Sequence, residues 1–348
     1  MPMKQSLVLV LTLLGLFTPI AAKDIPLKAV GASFPYPLYS TLFDTYEKKH
    51  AVNISYDPAG SGAGIKRLRQ KSVDFAASDS FLSDSLMERI FLENHVIHVP
   101  ICASAVAIAY NLDGIKSIHL DSDVITGIYF GRITRWNDEK IQALNPDLDL
   151  PNQSIIPVRR SDSSGTTFIF SDFLSKTNKE WASRMGRGKN LNWPIGIAAK
   201  GNEAVAKVLK EIPGSFSYLG YAYANQKGLS IAKVKNQAGQ FIYPDVDAIA
   251  MASDSDIMSV DKRVFLTNTD NPPAYPISRL TWIIAYKDQQ YSDRSYYQAK
   301  ATHDLIHWML ESVDEYGKPL MYAPLSPKMK RRALKQLEGM HYSGKHFR

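Results

Sequence analysis

The chain has 348 residues, 45% of them hydrophobic and 22% charged, so it can bury a sizeable core, has room for two domains, and is not disordered as a whole. Its formal net charge is +7, with the basic residues dispersed rather than gathered into a stripe, which suits the steering of small anions and argues against a nucleic-acid partner. The single cysteine, Cys102, excludes an intrachain disulfide; inside the apolar run VPICASAVAIAY it reads as a small buried side chain.

Residues 1–22 carry Lys4, an apolar run from Leu7 to Phe17, and the small residues Ala21 and Ala22 before charge resumes. This is the pattern of a cleaved signal peptide, with the cut expected after Ala21 or Ala22. The run is shorter than a membrane span needs, and no second candidate follows. Export of a chain without disulfides suits a bacterial periplasm.

IPLKAV reads as the first strand, leading through GASFPYP into a helix whose Leu38, Leu42, Phe43 and Tyr46 share one face. Pro35 and Pro37 fit its first turn, so Ser33 falls at or next to its N-cap. The strand VNISYDPA, the glycine-rich turn GSGAG and the helix IKRLRQKS repeat the pattern and put Ser61 at a second strand-to-helix junction. The spacing there matches neither a dinucleotide fingerprint nor a nucleotide-triphosphatase phosphate loop. VDFAASD carries Asp79 at the carboxyl end of a strand, ahead of a helix for which Ser85 and Glu88 have capping-box spacing. HVIHVPICASAVAIAYN is long, apolar and strand-like, and suits a crossing between lobes.

DSDVITGIYFGRITRWND reads as a helix with a glycine stop, with Trp136 packed, and IIPVRR as the strand that ends at Arg160. The stretch VRRSDSSGTTFIF is then a third junction, whose helix is expected to run to about Trp181. After the loop MGRGKNLNWPIG come the helix GNEAVAKVLKEIPG and, in SFSYLGYAYANQKGL, a strand and a turn. Residues 231–272 look irregular, with a polar region near Asp254 to Asp256. The strand ISRLTWIIAYKD, the long helix SYYQAKATHDLIHWMLE and the basic amphipathic helix MKRRALKQLEGM complete the chain, the last docking through Ala333, Leu334 and Leu337. Alternating strands and helices predict an α/β protein with two sheets of moderate size and ligand loops facing across a crevice.

No GxSxG, HExxH or paired CxxC occurs. His303, His307 and Glu311 recur at four-residue spacing, but such histidine pairs are common on ordinary helices, and no metal or cofactor is expected. Ser164 beside Asp162 and Arg160 could be drawn as a phosphatase nucleophile, yet no metal cluster or convincing general base accompanies it. The same residues are coherent without bond-making chemistry. Ser33, Ser61 and Ser164 can surround a small tetrahedral anion with N–H and hydroxyl donors, and Arg160, held by Asp162, adds a two-pronged charged donor. A carboxylate at Asp79 can only accept, so it would take the proton that hydrogen phosphate carries and reject fully ionised sulfate.

The ordered motifs AVGASFPYPLY, YDPAGSGAGIKRL, VDFAASDSFLSD, AVAIAYN and RRSDSSGTTFIFSDFLS resemble those of the periplasmic phosphate-binding proteins of ABC importers. The likeness continues through IPGSFSYLGYAYANQ to YAPLSP. It implies a two-lobed class II periplasmic binding protein, each lobe a mixed sheet flanked by helices, with the ligand in the interlobe cleft and no enzymatic activity. It also implies phosphate contacts from Ser33, the N–H of Phe34, Ser61, Asp79, Arg160, Ser164, Gly165 and Thr166, with Asp162 supporting Arg160. Lobe one is expected at 23–101 plus 271–348 and lobe two at 102–270. The implied partners are inorganic phosphate and the membrane permease subunits, with the protein itself a monomer. Three positions depart from the family pattern: Ser33 replaces a threonine, Gly62 the second serine of the usual SSGG, and Ser163 the glycine before Ser-Gly-Thr.

Overall fold

The computed structural model describes residues 24–91, 95–253 and 265–347. The expected signal peptide at 1–22 and the polar region near Asp254 to Asp256 lie outside the described residues.

In the first lobe, β1 (Ile25–Gly31), α1 (Tyr36–Glu47), β2 (Val52–Asp57), α2 (Ser61–Arg69), β3 (Phe75–Ser78) and α3 (Asp84–Ile90) lead into the long strand β4 (Val96–Tyr110). The second lobe begins with β5 (His119–Leu120), α4 (Ser122–Tyr129), α5 (Glu139–Leu144), β6 (Ile156–Arg160), α6 (Gly165–Thr177) and α7 (Lys179–Arg184). It continues with β7 (Ile197–Ala199), α8 (Gly201–Glu211), β8 (Ser215–Gly220) and α9 (Tyr221–Gln226), then β9 (Ser230–Ile231), β10 (Lys233–Lys235), β11 (Phe241–Ile242) and α10 (Val246–Ser253). The chain returns to the first lobe in β12 (Ser278–Tyr286), α11 (Tyr296–Tyr316), α12 (Pro327–Leu337) and the hairpin β13 (His341–Tyr342) and β14 (Lys345–His346).

The main sheet has the order β2-β1-β3-β12-β4-β8-β6-β7, with β9 also beside β4. The two sheets expected from the sequence are therefore joined through β4, which pairs antiparallel with β12 over Val96 to Ala105 and with β8 over Val106 to Tyr110. Fifteen residues of strand reach roughly 50 Å, enough to serve both lobes. All but the first are buried, and this explains the unbroken apolar run. Pro100 has no N–H to give the ladder, and the register with β12 shifts beside it, between Thr281 and Trp282.

Helix α1 forms where Leu38, Tyr39, Leu42, Phe43 and Tyr46 bury one stripe, with Pro35 as N-cap and Pro37 in the first turn. In α12 the buried residues are Met329, Ala333 and Leu337, while Leu334 is only partly covered. Three local expectations shift. The third helix is capped by Ser83, whose Oγ accepts from Leu86 N–H at 3.3 Å, two residues before the predicted cap Ser85. The helix after Arg160 breaks at Asn178, which adopts an extended conformation and caps α7 through Trp181 N–H at 2.7 Å. Residues Tyr221 to Gln226, read as a turn, are helical.

Trp136 is fully buried and donates to the Gly214 carbonyl at 3.1 Å. His303 pairs with Asp304 at 3.2 Å and Glu311 with Lys330 at 3.0 Å; among the described residues no His, Cys, Asp and Glu group could hold a metal ion. No described helix is long and apolar enough to cross a membrane.

Candidate functional site

Three loops of the first lobe converge at the carboxyl ends of its parallel strands. Ser33 and Phe34 lie between β1 and α1, both buried, with their carbonyls accepting from Tyr223 Oη at 2.6 Å and Tyr322 Oη at 2.7 Å. Ser61 is the first residue of α2, which is reached through Gly60 at φ +105°, a conformation that favours glycine. Asp79 follows β3 directly. Ser61 Oγ accepts from Asp79 N–H at 3.3 Å and can donate to Asp79 Oδ2 at 3.5 Å, so the second junction fixes the carboxylate.

The second lobe supplies Arg160 from the end of β6 and Ser164, Gly165 and Thr166 from the start of α6. An aromatic core sets both: Phe170 stacks on Tyr218 at 4.2 Å, and the Tyr218 hydroxyl meets Arg160 N–H at 3.2 Å and the Thr167 hydroxyl at 2.7 Å. The Arg160 guanidinium donates to both Asp162 oxygens, at 2.8 and 2.5 Å, and to Thr166 Oγ1 at 3.1 Å. Its side chain is 1% exposed and that of Asp162 8%. The pair is thus out of water, and its geometry leaves little freedom to the fork. Burial raises the Asp162 pKa, but the Arg160 hydrogen bonds and charge outweigh it, so Asp162 sits below its ordinary value. It is committed to Arg160 and is not a general base for Ser164. Ser164 caps α6, accepting from Thr167 N–H at 3.0 Å, which leaves its hydroxyl hydrogen as a donor.

The lobes are closed on one another. Arg160 Nη2 lies 3.5 Å from Ser33 Oγ, and Gly62 N–H donates to the Ser163 carbonyl at 3.2 Å. Two of the family departures face each other here, because a β-carbon at Gly62 would overlap the Ser163 side chain. A β-carbon at Gly165 would overlap Asp79 and Ser61. All the predicted residues, Ser33, Phe34, Ser61, Asp79, Arg160, Asp162, Ser164, Gly165 and Thr166, therefore lie at one interlobe cleft.

Sequence reading missed Asn202. It lies at the start of α8, is fully buried, and donates to Ser33 Oγ through its backbone N–H at 3.3 Å and Nδ2 at 3.0 Å. Its Nδ2 also reaches Thr166 Oγ1 at 3.3 Å, and its Oδ1 accepts from Gly220 N–H at 2.9 Å. Gly201 N–H meanwhile donates to Asp162 at 3.0 Å, so α8 forms a fourth strand-to-helix junction at the cleft. Lys189 was also missed: burial pushes its pKa down to about 8, against the pull of Asp79.

Burial raises the Asp79 pKa from 3.8 to about 7, against the lowering effects of Arg160, Lys189, Arg279 and Thr281. The cleft thus holds a set of donors and one carboxyl that exchanges its proton near neutrality. Donors alone would take any small oxyanion, whereas the ionised carboxyl demands a proton from whatever faces it.

Two lobes closed over a buried polar cleft at the ends of β-strands define a substrate-binding protein. The chain belongs to the PBP superfamily, a group of non-catalytic substrate-binding proteins, whose domain model matches residues 18–313. It is 36% identical over 320 residues to the phosphate-binding protein PstS of Xylella fastidiosa (strain 9a5c), covering 91% of this chain and 85% of that protein. It is 35% identical over 300 residues to the phosphate-binding protein PstS of Haemophilus influenzae, covering 85% of this chain and 87% of that one. Among solved structures, PfluDING, a high affinity periplasmic phosphate-binding protein bound with phosphate, is similar in fold. The TM-score is 0.69 at 23% identity, with 90% of this chain and 93% of that one covered.

Proposed function

We propose that the protein binds inorganic phosphate in the interlobe cleft and delivers it, in the periplasm, to the membrane permease of an ABC-type importer. The observation that carries this reading is the placement of Asp79, a fully buried carboxyl, opposite Arg160 and the helix starts of α2, α6 and α8. Phosphate fits because at neutral pH it offers charge to the donors and a proton to the acceptor at the same time. The close approach of Gly165 to Asp79 favours a compact anion over a phosphate ester with a large substituent. The names of the relatives support both the ligand and the transport system. The signal-peptide pattern at residues 1–22 supports export.

Closure brings Ser33, Phe34, Ser61 and Asp79 from one lobe against Arg160, Ser164, Gly165 and Thr166 from the other, and the closed surface is what the permease would recognise. Removing the gene from its host and measuring uptake of labelled phosphate under limitation tests the transport role. Reduced uptake, restored by the wild-type gene and not by an Arg160→Ala form, is the expected result; unchanged uptake contradicts it.

A further inference from the structure

Directly behind the Asp79 turn, on β12, lies Arg279, which is fully buried. Its Nε donates to the Asp79 main-chain carbonyl at 2.9 Å. Among the described residues, its two terminal nitrogens, Nη1 and Nη2, have no hydrogen-bond partner. Phe81 of the first lobe, Phe168 of α6 in the second and Phe265 enclose the guanidinium, with ring centroids 5.2, 5.4 and 4.5 Å from its central carbon. The carboxylate that could neutralise it, Asp172, is already engaged by Lys176 at 3.0 Å, by Arg187 at 3.1 Å and by the Thr267 hydroxyl.

Holding one carbonyl in place requires a single neutral donor. A buried guanidinium with two unpaired amino groups costs stability, so its charge is the property that distinguishes this residue from a simple structural donor. Among the described residues no ion pair consumes the charge, and aromatic faces attract a cation without neutralising it. We infer that Arg279 is a specificity-determining residue of the anion site: it supplies an uncommitted positive charge behind the Asp79 turn, keeps that carboxyl an acceptor, and so restricts the cleft to anions that carry a proton. This rests on the phosphate reading given above.

The charged groups facing Asp79 are Arg160 from β6, Lys189 from the loop after α7, and Arg279 from β12; the Thr281 hydroxyl also reaches its Oδ1 at 3.5 Å. Burial lowers the Arg279 pKa to about 10, partly offset by Asp172 and Asp79, so it stays charged near neutrality. Without that charge the carboxyl holds its proton to higher pH. A protonated Asp79 donates, and the barrier to sulfate is lost.

The test is competition calorimetry with inorganic phosphate and sulfate on the purified protein and on Arg279→Gln and Arg279→Lys, over a range of pH. At neutral pH, Arg279→Gln should lower the preference for phosphate over sulfate by about tenfold, the equivalent of one pKa unit at Asp79. The preference should recover at higher pH, and Arg279→Lys should retain it. If Arg279→Gln weakens both anions equally with an unmoved pH profile, the residue is structural and the inference is wrong. If Arg279→Gln does not fold, infrared difference spectra of the native protein, Arg279→Lys and Asp79→Asn read the Asp79 carboxyl directly. Protonation midpoints near neutrality in the native protein and Arg279→Lys support the inference; a carboxyl still protonated well into the alkaline range overturns it. Absence of phosphate binding by the native protein defeats the reading beneath the inference, an outcome distinct from equal discrimination by Arg279→Gln.

Discussion

Gly165, the first residue of α6, lies so close to Asp79 of the opposite lobe that a β-carbon on it would overlap Asp79 Oδ2 and Ser61 Oγ. Complete closure therefore depends on a missing side chain. Gly165→Ala should keep the lobes apart and weaken phosphate binding on the order of 100-fold, the loss of one or two hydrogen bonds to a charged ligand at about 1.5–3 kcal/mol each. Calorimetry measures the affinity, and small-angle scattering should show less compaction on adding phosphate than in the wild type. Full affinity and full compaction in the variant would contradict the closure argument.

Asp79, buried in the closed cleft, gives the closed form a pH signature. Its pKa is raised from 3.8 to about 7, so across that interval the native state holds a proton that the unfolded chain has released. The stability of the closed form accordingly falls as pH rises from about 4 to about 7, by on the order of 4 kcal/mol, and this contribution is flat above that range. Denaturant melts of wild type and Asp79→Asn should differ by this slope; parallel profiles would remove the assignment.

Gly62 and Ser163 meet across the cleft, where the Gly62 N–H donates to the Ser163 carbonyl. Gly62→Ser should weaken phosphate binding about tenfold through overlap with the Ser163 side chain, of the order of one lost hydrogen bond. Ser163→Gly alone should be nearly neutral, and combining the two should restore affinity. A double variant as weak as Gly62→Ser would show that the two positions are not coupled.

Asp162→Asn removes the counter-charge of a buried Arg160. Breaking one side of such a pair costs about 3–5 kcal/mol of stability. On the proposed function, bound phosphate supplies negative charge at the same guanidinium, so the rise in melting temperature on adding phosphate should be larger in the variant than in the wild type. An unchanged or smaller rise would argue that Arg160 does not face the anion.

Much of this arrangement is legible in the sequence because its signals are local. Ser33, Ser61 and Ser164 each sit where strand patterning gives way to helix patterning, and the apolar run through Cys102 marks β4 as a strand buried throughout. Asn202 escaped although it stands at the same kind of junction. The strand before it, Ile197–Ala199, has three residues, two of them exposed, too few for a periodic signal. Arg279 and Lys189 escaped for a different reason: Arg279 meets Asp79 across 200 residues of chain, through the pairing of β12 with β3, and no local pattern encodes that contact. The break at Asn178 and the cap at Ser83 are choices between neighbouring polar side chains, decided by backbone geometry rather than by spacing.

On the proposed function, a carboxyl and a ring of donors together select an oxyanion by its proton. Calorimetric titration of the anion-stripped wild-type protein with phosphate and with sulfate, on both sides of about pH 7, to which burial raises the Asp79 carboxyl, decides whether they do. Tight one-to-one phosphate binding is expected, with sulfate far weaker on the alkaline side and gaining ground as the solution is made acid. Equal affinity for the two anions above the midpoint, or no phosphate binding at all, would contradict it.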